Sequence, residues 1–260
     1  MNLGPENHPE TEMTIPEAIQ IAIQHHQAGR LAQAEQIYRK VLTVDPEHVD
    51  ANHYIGTIGL QVGKYDIAVQ FLQKAIQTAP DFAELYNKLG IAFDELGRYN
   101  DAIAGFQKAV SLNPDLVQAH NNIGLIFHKS GNPGKAIQSY NKAVALKPDY
   151  AEAHINLGLA LHDSGELDKA IKHYENAIAI NAGFYQAFYN LGNAQMAAGR
   201  TDEAIGSYQK AISLKPDSTQ AYINLGGALT ASNLPEQAIE YYQKAISLKP
   251  DYGEAHYNLG

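Results

Sequence analysis

Histidine and asparagine are the two residue types in this 260-residue sequence whose spacing could carry chemistry. His120, His154 and His256 share one register of a repeating pattern, and His128 and His162 share another. Imidazoles ligate metals and act as general bases near neutral pH. Members of each register are nevertheless separated by 34 residues or a multiple of it, and no HExxH or short Cys/His cluster is present. Other units place Tyr86, Phe188 and Tyr222 in the first register, so histidine there reads as a packing residue. His25 and His26 are adjacent and point in different directions on a helix. Asp94, Glu95 and Asp163 read as solvated or groove-lining charge, and their spacing argues for no converging acid–base pair. The glycines follow the repeat and form no phosphate-cradling loop. With 0 cysteines there is no disulfide, thiolate site or thiol nucleophile. The chain reads as no enzyme, with no catalytic residue, metal site or cofactor.

The asparagines are more suggestive. Asn156-Leu157-Gly158, Asn190-Leu191-Gly192, Asn224-Leu225-Gly226 and Asn258-Leu259-Gly260 repeat one motif, and Asn122-Ile123-Gly124 is a close variant. An amide side chain offers both a donor and an acceptor, so a ladder of such residues could pair with any peptide backbone. Asn121, Ile155, Tyr189 and Ile223 stand one residue before the ladder, and Leu125, Leu159 and Asn193 lie one turn away. These residues form a candidate groove for an extended, mildly apolar segment held by its backbone. Gln20, Tyr54 and Lys88 hold the ladder slot in the first three units, with His53, Asn87, Thr57 and Glu84 around it. The ladder is therefore confined to the C-terminal half.

The elements that position these residues follow from a 34-residue period. Pro46, Pro80, Pro114, Pro148, Pro216 and Pro250 lie on that grid, with Ala182 in the empty slot. Ala34, Ala68, Ala102, Ala136, Ala170, Ala204 and Ala238 occupy a second slot, and Gly56, Gly90, Gly124, Gly158, Gly192, Gly226 and Gly260 a third, with Ala22 at its first position. Each unit reads as two helices. Ala153, His154, Leu157, Gly158 and Leu161 share one helical face, and Leu167, Ala170, Ile171, Tyr174, Ala177 and Ile178 another. Gly29, Gly63, Gly97, Gly131, Gly165, Gly199 and Asn233 are expected to close the first helix in the left-handed conformation. Pro133 and Pro235 suit the first turn of the second helix, and the grid prolines end it. Asp81 with Glu84, Asp149 with Glu152 and Asp251 with Glu254 are expected to form acidic capping boxes. Tyr38, Leu72, Phe106, Tyr140, Tyr174, Tyr208 and Tyr242 are expected to fill the space between successive units.

The fold class is therefore all-α, a solenoid of antiparallel helix pairs stabilised by neighbour packing. Seven full repeats span 15–48, 49–82, 83–116, 117–150, 151–184, 185–218 and 219–252, with a partial eighth at 253–260. Residues 1–14, with Pro5 and Pro9, read as a flexible leader. The array stops within a first helix, so Tyr242, Ala245 and Ile246 are expected to be under-covered. The uncapped C-terminal repeat should then self-associate weakly.

Composition narrows the partners. The sequence holds 19 basic and 28 acidic residues, a formal net charge of −9. That balance disfavours nucleic acid and anionic membranes. No apolar run approaches the ~20 residues of a membrane span, and the N-terminus lacks a signal peptide's positive start and apolar core. The expected location is cytoplasmic.

A 34-residue helix–turn–helix with these Gly, aromatic, Ala and Pro positions resembles the tetratricopeptide repeat, across residues 15–260. The resemblance implies a right-handed superhelix whose inner groove is lined by the first helix of each unit. It implies a scaffold that holds peptides or partner proteins. The asparagine ladder is similar to that of O-linked N-acetylglucosamine transferase arrays, so the alternative is the substrate-recognition region of a larger transferase. The inner positions are largely neutral, apolar or acidic, with Lys88 and Lys129 as the basic exceptions, which argues against the clamp that some members use for chaperone tails.

Overall fold

The computed structural model describes residues 13–259. Residues 1–12, most of the expected leader, and Gly260 lie outside the described residues. The described chain forms fifteen helices: α1 (Ile15–Gln27), α2 (Leu31–Val44), α3 (Val49–Gln61), α4 (Tyr65–Thr78), α5 (Ala83–Glu95), α6 (Tyr99–Leu112), α7 (Val117–Lys129), α8 (Pro133–Leu146), α9 (Ala151–Asp163), α10 (Leu167–Ile180), α11 (Tyr185–Ala197), α12 (Thr201–Leu214), α13 (Thr219–Ala231), α14 (Pro235–Leu248) and α15 (Gly253–Leu259). They belong to two compact units, divided between Leu116 and Val117. In each unit, consecutive helices pack against one another and alternate first helices also touch. No helix among the described residues is long and apolar enough to cross a membrane.

Two kinds of turn set the boundaries. Within each pair the chain reverses through a residue at positive φ, for example Gly165 at +78° and Asn233 at +60°. There the amide of Glu166 reaches back to the Leu161 carbonyl (2.9 Å) and that of Gly165 to His162 (2.9 Å). This double closure satisfies carbonyls that the helix end leaves open. Between pairs the chain makes a β-turn, such as Lys147–Tyr150, closed by the Tyr150 amide on the Lys147 carbonyl at 3.1 Å. Pro148 occupies the second position of that turn, where its fixed φ is an advantage.

The β-turn also explains why the acidic capping boxes at Asp81 and Asp149 do not form. Each aspartate is taken up as the third turn residue, so the N-cap positions fall to Phe82 and Tyr150, which make no side-chain cap bond. A capping box does form at α1. The Thr14 amide donates to Glu17 (2.8 Å) and the Glu17 amide to the Thr14 hydroxyl (3.4 Å). Pro133 and Pro235 stand in the first turns of α8 and α14, as their spacing implies.

From α3/α4 onward, the large side chain on each second helix lies first against the glycine of its own pair, not only between pairs. A Cβ built on Gly124, Gly158, Gly192 or Gly226 would meet Cε1 of Tyr140, Tyr174, Tyr208 or Tyr242 at 2.5–2.6 Å. Gly56 and Gly90 stand in the same relation to Leu72 and Phe106. The glycine recess lets the ring sink between the paired helices, where Tyr140, Tyr174 and Tyr208 are almost fully buried. The rings reach the next unit as well, as Tyr38 stacks on Tyr54 at 5.3 Å. Tyr242 and Ala245, expected to be under-covered, are buried, and α15 packs on α14.

Candidate functional site

The predicted groove residues all fall in the second unit, on α7, α9, α11, α13 and α15, and each of these first helices touches the next. Their side chains divide into two sets. Asn121 and Ile223 are 1% and 2% exposed, so they belong to the interior. Asn121 lies under Asn156, and Ile223 joins the apolar cluster around Tyr208 and Tyr242. Leu125, Ile155, Tyr189, Asn122, Asn156, Asn190, Asn193 and Asn224 are half-buried, while Leu159 and Asn258 are exposed.

Asn156 and Asn224 of the ladder are engaged within the second unit. Asn156 Nδ2 donates to Asn121 Oδ1 at 3.1 Å, across to the preceding first helix. Asn224 Nδ2 donates to the Tyr189 hydroxyl at 3.2 Å and to Asn193 Oδ1 at 2.9 Å, and its Oδ1 accepts from Gln220 at 3.1 Å. Asn193 Oδ1 also accepts from the Tyr208 hydroxyl at 2.8 Å. In both ladder bonds the partner is the residue 35 positions earlier. That position places Ile155 opposite Asn190 and Ile223 opposite Asn258, neither of which can accept. Asn190 takes no part in these bonds. Burial raises the Tyr189 hydroxyl's pKa, which its bonds to Asn193 and Asn224 partly offset, and leaves it a neutral member of the network.

The histidine registers have structural partners. His154 Nε2 is 3.0 Å from the Pro148 carbonyl and His256 Nε2 is 2.7 Å from that of Pro250. Asn52 makes the same tie to Pro46 at 3.0 Å. The turn proline six residues upstream is the sequence signal for this lock between one pair's end and the next pair's start. With His154 Nε2–H donating to Pro148, its Nδ1 accepts from His173 Nδ1–H at 2.9 Å. Burial, the His154 ring and Lys172 together hold His173 down to a pKa of about 4. His128 meets Asp163 at 2.8 Å, with His162 on the other oxygen at 3.4 Å. Among the described residues no group of three or more His, Cys, Asp or Glu converges to hold a metal ion.

Helix pairs on a 34-residue period, locked by glycine recesses and proline turns, define a helical-repeat protein. Family models described as TPR repeat match residues 92–131, 126–165 and 158–199. Those described as Tetratricopeptide repeat match 20–82 and 189–260, and 71–104. A crystal structure of MamA is 31% identical, with 70% of this chain and 98% of MamA covered and a TM-score of 0.61. A second MamA structure is 32% identical over 62% of this chain and 95% of MamA, with a TM-score of 0.60. YrrB, described as a TPR protein with an unusual peptide-binding site, shares the fold at 22% identity, covering 72% of this chain and 96% of YrrB with a TM-score of 0.63. No curated protein matches the chain. The chain belongs to the tetratricopeptide-repeat family.

Proposed function

We propose that the protein is an interaction scaffold that holds an extended partner segment against the first-helix face of α7 to α13. One observation supports this above the others. Leu125, Ile155 and Tyr189 stay half-buried and Leu159 is 36% exposed, on helices that adjoin one another, while Leu157, Leu161 and Leu191 of the same helices are buried. An apolar row left at the water boundary is covered favourably by a partner's apolar side chains. Asn190 then supplies a donor and an acceptor for the partner's backbone. The peptide-binding site ascribed to YrrB supports the class of partner. A net charge of −9 favours a protein partner over nucleic acid. The chain works by binding alone, in the cytoplasm.

A peptide selected from a random phage-displayed library against the full chain supplies a ligand for the test. With the photo-reactive p-benzoylphenylalanine at position 159, irradiation should cross-link that peptide. The same group at position 172, on the exposed side of α10, should not. Cross-linking from position 172 and none from 159 would overturn the proposal.

A further inference from the structure

The first unit carries a recess that the reading above leaves unused. It encloses about 290 Å³ and is lined chiefly by Ile23 and His26 of α1, His53 and Tyr54 of α3, and Glu84 and Lys88 of α5. Two of its polar groups lack partners. His53 is 7% exposed, and its Nε2 is buried with no hydrogen bond. Its ring is fixed by stacking on Tyr54 (centroids 5.0 Å apart) and by an edge contact with Phe82 (5.7 Å). His26 bonds Gln61 through Nε2 at 2.9 Å, which leaves its buried Nδ1 without a partner. Lys88 is half-buried, and burial holds its ammonium below the usual lysine range. Glu84, one turn away, opposes that shift, but no salt bridge joins the two among the described residues. Asp50 is the carboxylate whose charge reaches His53.

A desolvated ammonium beside an unsatisfied imidazole nitrogen favours an anion that can accept from both. We propose that this recess takes the carboxylate of an acidic side chain, Asp or Glu, carried on an extended partner segment. The inference rests on the reading that the partners are extended segments, and adds the side chain they present to the first unit. Lys88 supplies the charge, and the neutral His53 donates its Nε2–H to one carboxylate oxygen. Ile23 and the Tyr54 ring cover the methylene stem. Glu84 selects for a single negative charge, because a phosphate dianion would face its carboxylate at close range.

The test uses small probes at pH 7 on the isotope-labelled full chain, with the His53 ring signals as readout. N-acetyl-glutamate N-methylamide should shift them saturably. Its uncharged isostere, N-acetyl-glutamine N-methylamide, should bind at least tenfold more weakly, and Lys88→Met should weaken the glutamate probe by a similar factor. N-acetyl-glycine, which offers a terminal carboxylate with no side-chain stem, and inorganic phosphate should also be weaker. Equal binding of the glutamine probe, tighter binding of N-acetyl-glycine or phosphate, or no response at His53 would overturn the assignment. The probe comparison needs no variant, so it stands even where Lys88→Met fails to fold. It also uses no library-selected peptide. A His53 response with cross-linking from position 172 and none from 159 would therefore retain the recess and reject the apolar row.

Discussion

The methyl group that Gly158 lacks would lie 2.6 Å from Cε1 of Tyr174, closer than packed atoms come. The two residues are 16 apart in sequence and on facing helices of one pair. The pairs from α3/α4 to α13/α14 repeat the arrangement with an aromatic or Leu72, while α1/α2 has Ala22 at the glycine slot. Glycine provides the recess, and the ring supplies the buried area that joins both helices to the next pair.

Gly158→Ala should therefore destabilise the protein even though alanine is the better helix former. The gain from propensity is about 1 kcal/mol, against an overpacking cost of roughly 1–3 kcal/mol. Gly206, within α12, has open space where a Cβ would stand, with no atom within 4 Å. Gly206→Ala should raise stability by about 1 kcal/mol. Thermal melts of the two variants should thus move in opposite directions. Equal shifts would remove the glycine–aromatic contact as the basis of the fold.

The asparagine ladder should split into structural and non-structural members. Asn156→Ala leaves the buried Asn121 amide oxygen without its donor, a loss of about 1–3 kcal/mol. Asn190→Ala disturbs neither ladder bond and should stay within roughly 0.5 kcal/mol of wild type. Urea midpoints at constant slope measure both. If Asn190→Ala were the more damaging change, the 35-residue pairing rule would fail.

Acid should weaken the fold through its buried neutral histidines. Burial, Lys88 and His26 lower the His53 pKa to about 4, and burial acts likewise on His173. Between the unfolded value of about 6.5 and the folded value of about 4, the unfolded chain binds more protons, so stability falls as pH falls through that window. His53 accounts for a loss on the order of 2–3 kcal/mol, and the more exposed His173 for about 1 kcal/mol after screening. His53→Asn, which copies Asn87 and Asn121 at the equivalent slot, should flatten the profile of urea midpoint against pH. Parallel profiles for variant and wild type would contradict this.

Helix boundaries were legible in the sequence because the residues that set them act locally. Gly165 and Asn233 take the left-handed conformation their types allow, and Pro133 stands where its missing N–H is harmless. What depends on a neighbouring helix was not legible from one helix's periodicity. Asn121 and Ile223 share a face with Ile155 and Tyr189, yet they are buried by what lies opposite them. Asp149 matches a capping box in spacing, but the preceding Pro148 turn draws it one residue out of register. A usable signal did exist for the ladder. Asn156 and Asn224 each have a polar residue 35 positions earlier, whereas Asn190 and Asn258 have isoleucine.

The proposed function assigns Leu125 and Leu159 of the first-helix face to the partner, while Asn156 and Asn224 bond to the preceding first helix. Melting temperature and affinity for the library-selected peptide, taken on the same two variants, separate these roles. Leu125→Glu/Leu159→Glu should weaken the peptide at least tenfold, about 1.4 kcal/mol, with little change in melting temperature. Asn156→Ala/Asn224→Ala should lower the melting temperature and leave affinity per folded molecule unchanged. Intact binding by the leucine double variant, with binding lost in a fully stable asparagine double variant, would contradict this division.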